Sequence, residues 1–90
     1  MEKGAVFKIL RDCMGLSQRE MAEKCDISKV YWSELESGKK VNPSEETLSL
    51  IAGTCGIHVE VIYALFRWDE AVVRKYLLEC LEDIVWKQAN

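Results

Sequence analysis

Apolar residues recur at steps of three and four along most of this chain, the spacing that places side chains on one face of an α-helix. The first such run covers about residues 4–14, where Val6, Phe7, Leu10 and Met14 follow these steps. Almost no segment alternates apolar and polar residues in the way of a half-buried strand. The pattern therefore predicts an all-α fold.

A capping box marks the start of the second predicted helix. The Ser17 hydroxyl can accept a hydrogen bond from the backbone N–H of Glu20, while the Glu20 carboxylate reaches back to the Ser17 N–H. Gly15, just before this box, ends the first helix, and the second helix runs to about Cys25.

The third helix follows the second so closely that the two form one unit. Ser28 is its predicted N-cap, and the helix runs to about Ser37, where Gly38 ends it. Only residues 26–28 separate it from the second helix, and Asp26 tolerates the left-handed conformation that so sharp a turn requires. Two short helices joined in this way predict a helix-turn-helix motif.

Three further helices are predicted after the motif. Ser44 caps a fourth helix that ends at Gly56, and a short fifth helix covers residues 59–66. The last helix, about residues 69–88, has an apolar arc wider than one packing seam requires. One side of it can pack on the five-helix body, and the remainder is available to a partner.

We therefore divide the chain into residues 1–67, a helix-turn-helix domain, and residues 68–90, an added long C-terminal helix. We expect this helix to form a homodimer contact. The side chains expected in that contact are Val73, Tyr76, Leu77, Leu81, Ile84 and Trp86. Two alternatives stay open, in which the helix closes the core of one chain or binds another protein.

Composition limits the classes of partner. The chain has 90 residues, enough for one modest core, and a net charge of -3. An acidic chain has no general attraction to nucleic acid, so any DNA contact must come from local basic residues. The N-terminus lacks the pattern of a signal peptide, and no apolar run approaches the roughly 20 residues of a membrane span. We expect a cytoplasmic protein without membrane contact.

The four cysteines are widely spaced and the chain has one histidine, so the spacing of a zinc site is missing. We expect free thiols that act as small buried hydrophobic groups in a reducing compartment. His58 has no evident nucleophile partner in the sequence, and no glycine-rich phosphate loop occurs. These features predict neither an enzyme nor a bound metal or cofactor.

Seven short segments, in unbroken order between about residues 4 and 66, match one known family. They are Leu-Arg (10–11), Gly-Leu-Ser-Gln-Arg-Glu-Met-Ala (15–22), Ile-Ser (27–28), Ser-Glu-Leu-Glu-Ser-Gly-Lys (33–39), Asn-Pro-Ser (42–44), Thr-Leu (47–48) and Cys-Gly-Ile (55–57). With them the chain resembles the lambda repressor/Cro-type helix-turn-helix family, also called the XRE family. The resemblance implies a five-helix, lambda repressor-like DNA-binding domain whose third helix enters the major groove.

The resemblance also implies which residues meet double-stranded DNA. Lys29, Val30 and Glu34 match the base-reading positions, where they suit guanine, a thymine methyl group and cytosine, respectively. Two neighbours could contact a base or the backbone, namely Tyr31 and Ser33. The phosphate contacts that it implies are Ser17, Gln18, Arg19, Ser37, Lys39 and Lys40.

Two further expectations concern the interior. Arg11 and Glu36 match a family pair that forms a partly buried salt bridge between the first helix and the end of the third. Trp32 stands where the family usually has an aliphatic core residue, so we expect it to pack in the core. Its indole N–H then requires a hydrogen-bond acceptor.

The implied function is that of a sequence-specific transcriptional regulator, a repressor of the phage, mobile-element or antitoxin type. Glu34 on the reading helix and the acidic pair Glu45 and Glu46 on the fourth helix weaken the attraction to DNA. They favour the alternative, a protein-interaction module or antitoxin that keeps the helix-turn-helix fold and binds a protein. Glu34 could equally serve only the solubility of its helix.

Overall fold

A computed structural model describes residues 2–40 and 42–89, and it describes residues 80–89 by their backbone alone. The described residues form six α-helices and no strand. The helices are α1 (Lys3–Cys13), α2 (Gln18–Lys24), α3 (Lys29–Ser37), α4 (Glu45–Cys55), α5 (Val59–Leu65) and α6 (Glu70–Ala89). The all-α prediction and its order of helices are confirmed.

Side-chain caps begin the helices of the helix-turn-helix motif where the sequence predicted them. The Glu20 N–H donates to the Ser17 hydroxyl over 3.1 Å, and the Ser17 N–H donates to the Glu20 carboxylate over 3.0 Å. Ser28 accepts from the N–H of Tyr31 over 3.0 Å. Each cap satisfies N–H groups that have no partner within their helix, so both starting points are fixed locally.

Residues with a left-handed backbone conformation provide the sharp turns between helices. Asp26, between α2 and α3, has φ 57° and is the non-glycine residue with positive φ among the described residues. Gly38 ends α3 with φ 84°, a conformation that costs glycine little because it has no Cβ. After Gly38 the chain folds back, and the N–H of Lys40 donates to the Glu34 carbonyl over 3.1 Å.

The core lies between α1 and the helices packed around it. Trp32 of α3 is fully buried, as the sequence predicted, and its ring meets Phe7 of α1 edge to face at 6.0 Å. Phe7 in turn meets Phe66 at 5.9 Å. The other fully buried large side chains are Ile9, Leu10, Met21, Leu35, Ile51, Ile62, Leu65, Leu77, Val6 and Val73. The two helices of the motif are therefore held against one shared interior.

The first turns of α6 belong to this interior. Val73 and Leu77 are fully buried where α6 packs on α1, and half-buried Tyr76 meets Trp68 at 5.4 Å. Burial of Val73 and Leu77 corrects the dimer prediction at these two positions, because their side chains close the core of a single chain. Three other residues predicted in the dimer contact lie outside the described side chains, namely Leu81, Ile84 and Trp86.

The start of α1 lies directly against the end of α3. Gly4 is buried there, and a Cβ atom on it would lie 2.5 Å from the Glu36 carbonyl oxygen. A glycine at this position is what allows the two backbones to approach so closely.

Within the described residues, no single helix is long and apolar enough to cross a membrane; α4 and α5 meet that test only as a pair, with a 99° bend between them.

Candidate nucleic-acid interface

The buried residues of α3 determine which face of this helix is available to a partner. Trp32 and Leu35 are fully buried, so the residues on the opposite side point away from the core. Val30 is 65% exposed, a high value for an apolar side chain. Lys29 is exposed beside it, and Ser33 and Glu34 follow one turn later on the same side. We call Lys29, Val30, Ser33 and Glu34 the reading face.

The residues predicted to contact phosphates lie in two places beside α3. Ser17 and Arg19, at the start of α2, are exposed, whereas Gln18 between them is half-buried. We call these three residues the anchor segment. The second place is the end of α3 and the loop that follows it, where Ser37, Lys39 and Lys40 are all exposed. All six side chains are thus at least partly accessible to a partner.

The acid on the reading face has a basic neighbour that the sequence did not reveal. Because the chain folds back after Gly38, the Lys40 ammonium lies 3.9 Å from the Glu34 carboxylate. In the last turn of α3 the Ser37 hydroxyl donates to the Glu34 carbonyl over 3.2 Å, and the N–H of Lys39 donates to the Ser37 hydroxyl over 3.5 Å, which joins the loop to the helix. The negative charge of Glu34 is therefore partly balanced within the chain, although so exposed a pair adds little stability.

Arg11 and Glu36 form the ion pair that the sequence predicted. The Arg11 Nε and Nη2 atoms donate to the two Glu36 carboxylate oxygens over 2.6 and 3.0 Å, a bidentate arrangement. The Arg11 Nη1 atom donates to the carbonyl of Leu16 over 3.0 Å. The Arg11 side chain is only 15% exposed and that of Glu36 only 7%. One guanidinium therefore joins α1, the segment before α2 and the last turn of α3.

Glu36 is also the acceptor that Trp32 requires. The indole N–H donates to the Glu36 carboxylate from one turn earlier in α3. The sequence offered a signal for this contact, because residues four apart in a helix are neighbours. The side chain of Gln18, in the anchor segment, lies near the same carboxylate and contributes a little to the lowering of its pKa. This convergence on one carboxylate was not predicted from the sequence.

The protonation state of Glu36 follows from these contacts. Burial raises the pKa of the carboxyl, but the hydrogen bonds from Arg11 and Trp32 together lower it below its ordinary value. The hydrogen bond to Glu36 raises the pKa of Arg11. Both groups are therefore charged near neutral pH, and no buried side-chain polar atom within the described part of the chain lacks a partner.

The remaining candidates for chemistry have structural contacts. His58 caps α5, where its Nδ1 atom accepts from the N–H of Glu60 over 3.3 Å. Cys13, Cys25 and Cys55 are free thiols, and burial raises the pKa of Cys55 to about 12. A thiol with so high a pKa is a poor nucleophile at neutral pH. Among the described residues, no three His, Cys, Asp or Glu side chains lie together as a metal site would require.

Comparison with known proteins identifies the family. A family model described as "Helix-turn-helix" matches residues 7–62, which include α2, α3 and α4. The chain is also similar to an "Immunity repressor protein" of Bacillus phage phi105, with 37% identity over 62 residues. That alignment covers 69% of this chain but only 42% of the relative. No solved structure matches the chain.

The matched residues contain both helices of the motif, the reading face and the loop that follows it. The match also contains the Arg11–Glu36 ion pair, which joins α1 to α3. The chain therefore belongs to the lambda repressor/Cro-type helix-turn-helix family of DNA-binding regulators.

Proposed function

We propose that this chain is a sequence-specific repressor that places α3 in the major groove of an operator. The observation that carries the proposal is the reading face, which presents Lys29, Val30 and Glu34 outward beside the basic pair Lys39 and Lys40. A lysine can donate to guanine, a valine can contact a thymine methyl group, and a glutamate can accept from cytosine. The loop lysines and the anchor segment would hold the phosphates on either side.

The similarity to a phage immunity repressor supports a regulator of the phage or mobile-element type. Such a regulator would act in the cytoplasm, where its operator lies. The chain spans only 42% of that relative's length, so the similarity supports a shared DNA-binding role and not every activity of the relative. The pairing of Glu34 with Lys40 also supports DNA binding, because it reduces the repulsion between the acid and nearby phosphates.

We further propose that two copies bind a palindromic operator, with their α3 helices about 34 Å apart. Val73 and Leu77 are used within one chain, so the dimer contact must involve other residues of α6. Val72 and Leu78 are 47% and 51% exposed on this helix. A dimer contact here would bury apolar surface that a single chain leaves in water.

Selection from random duplex DNA, followed by titration of the selected sequence at two salt concentrations, tests the proposal. We expect a palindrome and an affinity that falls as salt rises. Lys29→Ala should weaken binding by about 1–3 kcal/mol and relax the preference at one base pair. Lys39→Ala should weaken binding to all sequences and reduce the salt dependence by about one counterion.

Lys8→Ala is the matched control, because it removes the same charge from an exposed position on α1, away from the reading face, the anchor segment and α6. It should leave DNA binding nearly unchanged. If no sequence is enriched, DNA binding is the wrong function, and a protein partner for this acidic helix-turn-helix domain becomes the better explanation. If a palindrome is enriched but Lys29→Ala leaves its affinity unchanged, the assigned reading face is wrong.

A further inference from the structure

Glu36 joins the two parts of the proposed interface without belonging to either. Its carboxylate accepts hydrogen bonds from Arg11 and from the Trp32 indole, and the side chain of Gln18 lies near it. Gln18 is in the anchor segment, and Trp32 lies in α3 between residues of the reading face. Arg11 joins Glu36 to the anchor segment, because it also donates to the carbonyl of Leu16, directly before the Ser17 cap.

We propose that Trp32 is a positioning residue for DNA binding, which through Glu36 and Arg11 sets the anchor segment relative to the reading face. This inference rests on the proposed function, since both surfaces must meet one duplex at once. Phosphate contacts fix the register of a protein on DNA, and base contacts select the sequence. A shift between the two surfaces therefore weakens the selected operator more than random DNA, which needs no base contacts.

The ring of Trp32 is well placed to act in this way because it cannot move freely. It is fully buried and packs edge to face on Phe7 of α1. A donor fixed on one side gives the Glu36 carboxylate one orientation, in which it also accepts from both Arg11 nitrogens. Supporting contacts of this kind hold the side chains of a binding site within a fraction of an ångström of their working positions. When such a contact is lost, the binding residues are still there but are positioned less accurately.

The close contact between Gly4 and the Glu36 carbonyl also restrains this turn of α3. A Cβ on Gly4 would lie 2.5 Å from that oxygen, so the backbone of this turn has little room to shift toward α1. The backbone at Glu36 is thus fixed by packing. What the indole N–H adds is the direction of the carboxylate, and with it the position of the Arg11 guanidinium that holds the Leu16 carbonyl.

Trp32→Phe removes the indole donor and keeps an aromatic core residue. We expect its affinity for the selected operator to fall about tenfold, the effect of one hydrogen bond to a charged group. Its affinity for random duplex of the same length should stay within about twofold, because phosphate contacts dominate there. Both titrations are made at a temperature where circular dichroism shows the variant to be folded.

Two variants of Ile62 provide the matched control. Ile62 is fully buried in α5 and has no side-chain hydrogen bond to the network. Ile62→Val and Ile62→Ala destabilise the fold by a small and a larger amount, which should bracket the effect of Trp32→Phe. If Trp32 acts as a positioning residue, the ratio of operator to random affinity falls in Trp32→Phe and stays at the wild-type value in both Ile62 variants.

A second probe is needed if Trp32→Phe does not fold. Trp68 and Trp86 are replaced by Phe, so that position 32 alone carries the indole, and 3-benzothienylalanine is then incorporated there. This analogue keeps the ring shape and has sulfur in place of the N–H group. The same fall in the affinity ratio would support the proposal.

An unchanged ratio in Trp32→Phe, or in the analogue where Trp32→Phe does not fold, would overturn the proposal and leave Trp32 as a core residue only. A failure of the proposed function is distinguishable, because it appears in the wild-type protein before any variant is made. In that case no DNA sequence is preferred, and both the function and the positioning role are wrong.

Discussion

Removing Arg11 should destabilise this protein far more than removing an ordinary surface arginine. Arg11→Ala takes away two hydrogen bonds to the Glu36 carboxylate and one to the Leu16 carbonyl. It leaves the carboxylate, only 7% exposed, without its charged partner. Breaking a buried pair in this way costs about 3–5 kcal/mol. Since the Trp32 indole still donates to Glu36, we expect the lower end, about 3 kcal/mol.

Urea unfolding, followed by circular dichroism at pH 7, measures this loss. A loss of about 3 kcal/mol moves the midpoint by about 2 M for a slope of about 1.5 kcal/mol/M. Arg74→Ala is the matched control, because Arg74 pairs with Glu70 over 3.3 Å while both side chains stay exposed. That variant should lose less than about 0.5 kcal/mol. If the two variants lose similar amounts, the Arg11–Glu36 pair is not the buried tie described above.

The same pair predicts how stability depends on pH. The folded state holds the pKa of Glu36 below its unfolded value, so the stabilisation is complete above the ordinary glutamate pKa of about 4.3. It is lost as pH falls through the lowered pKa of the folded state. The difference in stability between the wild type and Glu36→Gln should therefore be constant near neutral pH and shrink in acid. A difference that instead grew in acid would contradict the sign of this shift.

Two further predictions concern a close backbone contact and the buried thiols. Gly4→Ala should destabilise the fold in urea despite the helix preference of alanine, because the new Cβ would lie 2.5 Å from a backbone oxygen. Gly53→Ala is the control: no atom lies within 4 Å of its Cβ, so this variant should stabilise the fold by up to about 1 kcal/mol. Stabilisation of both variants would refute the close contact at Gly4. In a Cys80→Ser background, a thiol reagent should label half-buried Cys13 first and buried Cys55 only as the protein unfolds, and peptide mapping distinguishes the two sites. The reason is that burial raises the pKa of Cys55 to about 12. Equal labelling rates for Cys13 and Cys55 would contradict this burial.

The parts of the fold that the sequence predicted well are those determined locally. Ser17 and Ser28 cap helices through residues three positions away, so the signal and its structural effect lie within one turn. Asp26 and Gly38 adopt left-handed backbone for reasons that belong to each residue alone. The first helix was predicted at about 4–14 and spans Lys3–Cys13, a difference of one residue at each end.

The use of the last helix could not be predicted in the same way. Its apolar arc is wide, and periodicity alone does not say which part faces the chain's own core. The position of α1 decides this, because α6 packs against it and buries Val73 and Leu77. The sequence contained the apolar arc, but the choice of its inner side depends on tertiary contacts between residues more than 60 positions apart.

The acid on the reading face poses a related problem. In the sequence, Glu34 and Lys40 are separated by a glycine turn, so their contact depends on the path of the loop. A chain of net charge -3 has little general attraction to DNA, and Glu34 lowers it further. On the proposed function, affinity must then come from a few well-placed contacts rather than from summed charge. Accurate placement of the anchor segment relative to the reading face would therefore matter more in this chain than in a strongly basic one, and we propose that this placement is made through the carboxylate of Glu36.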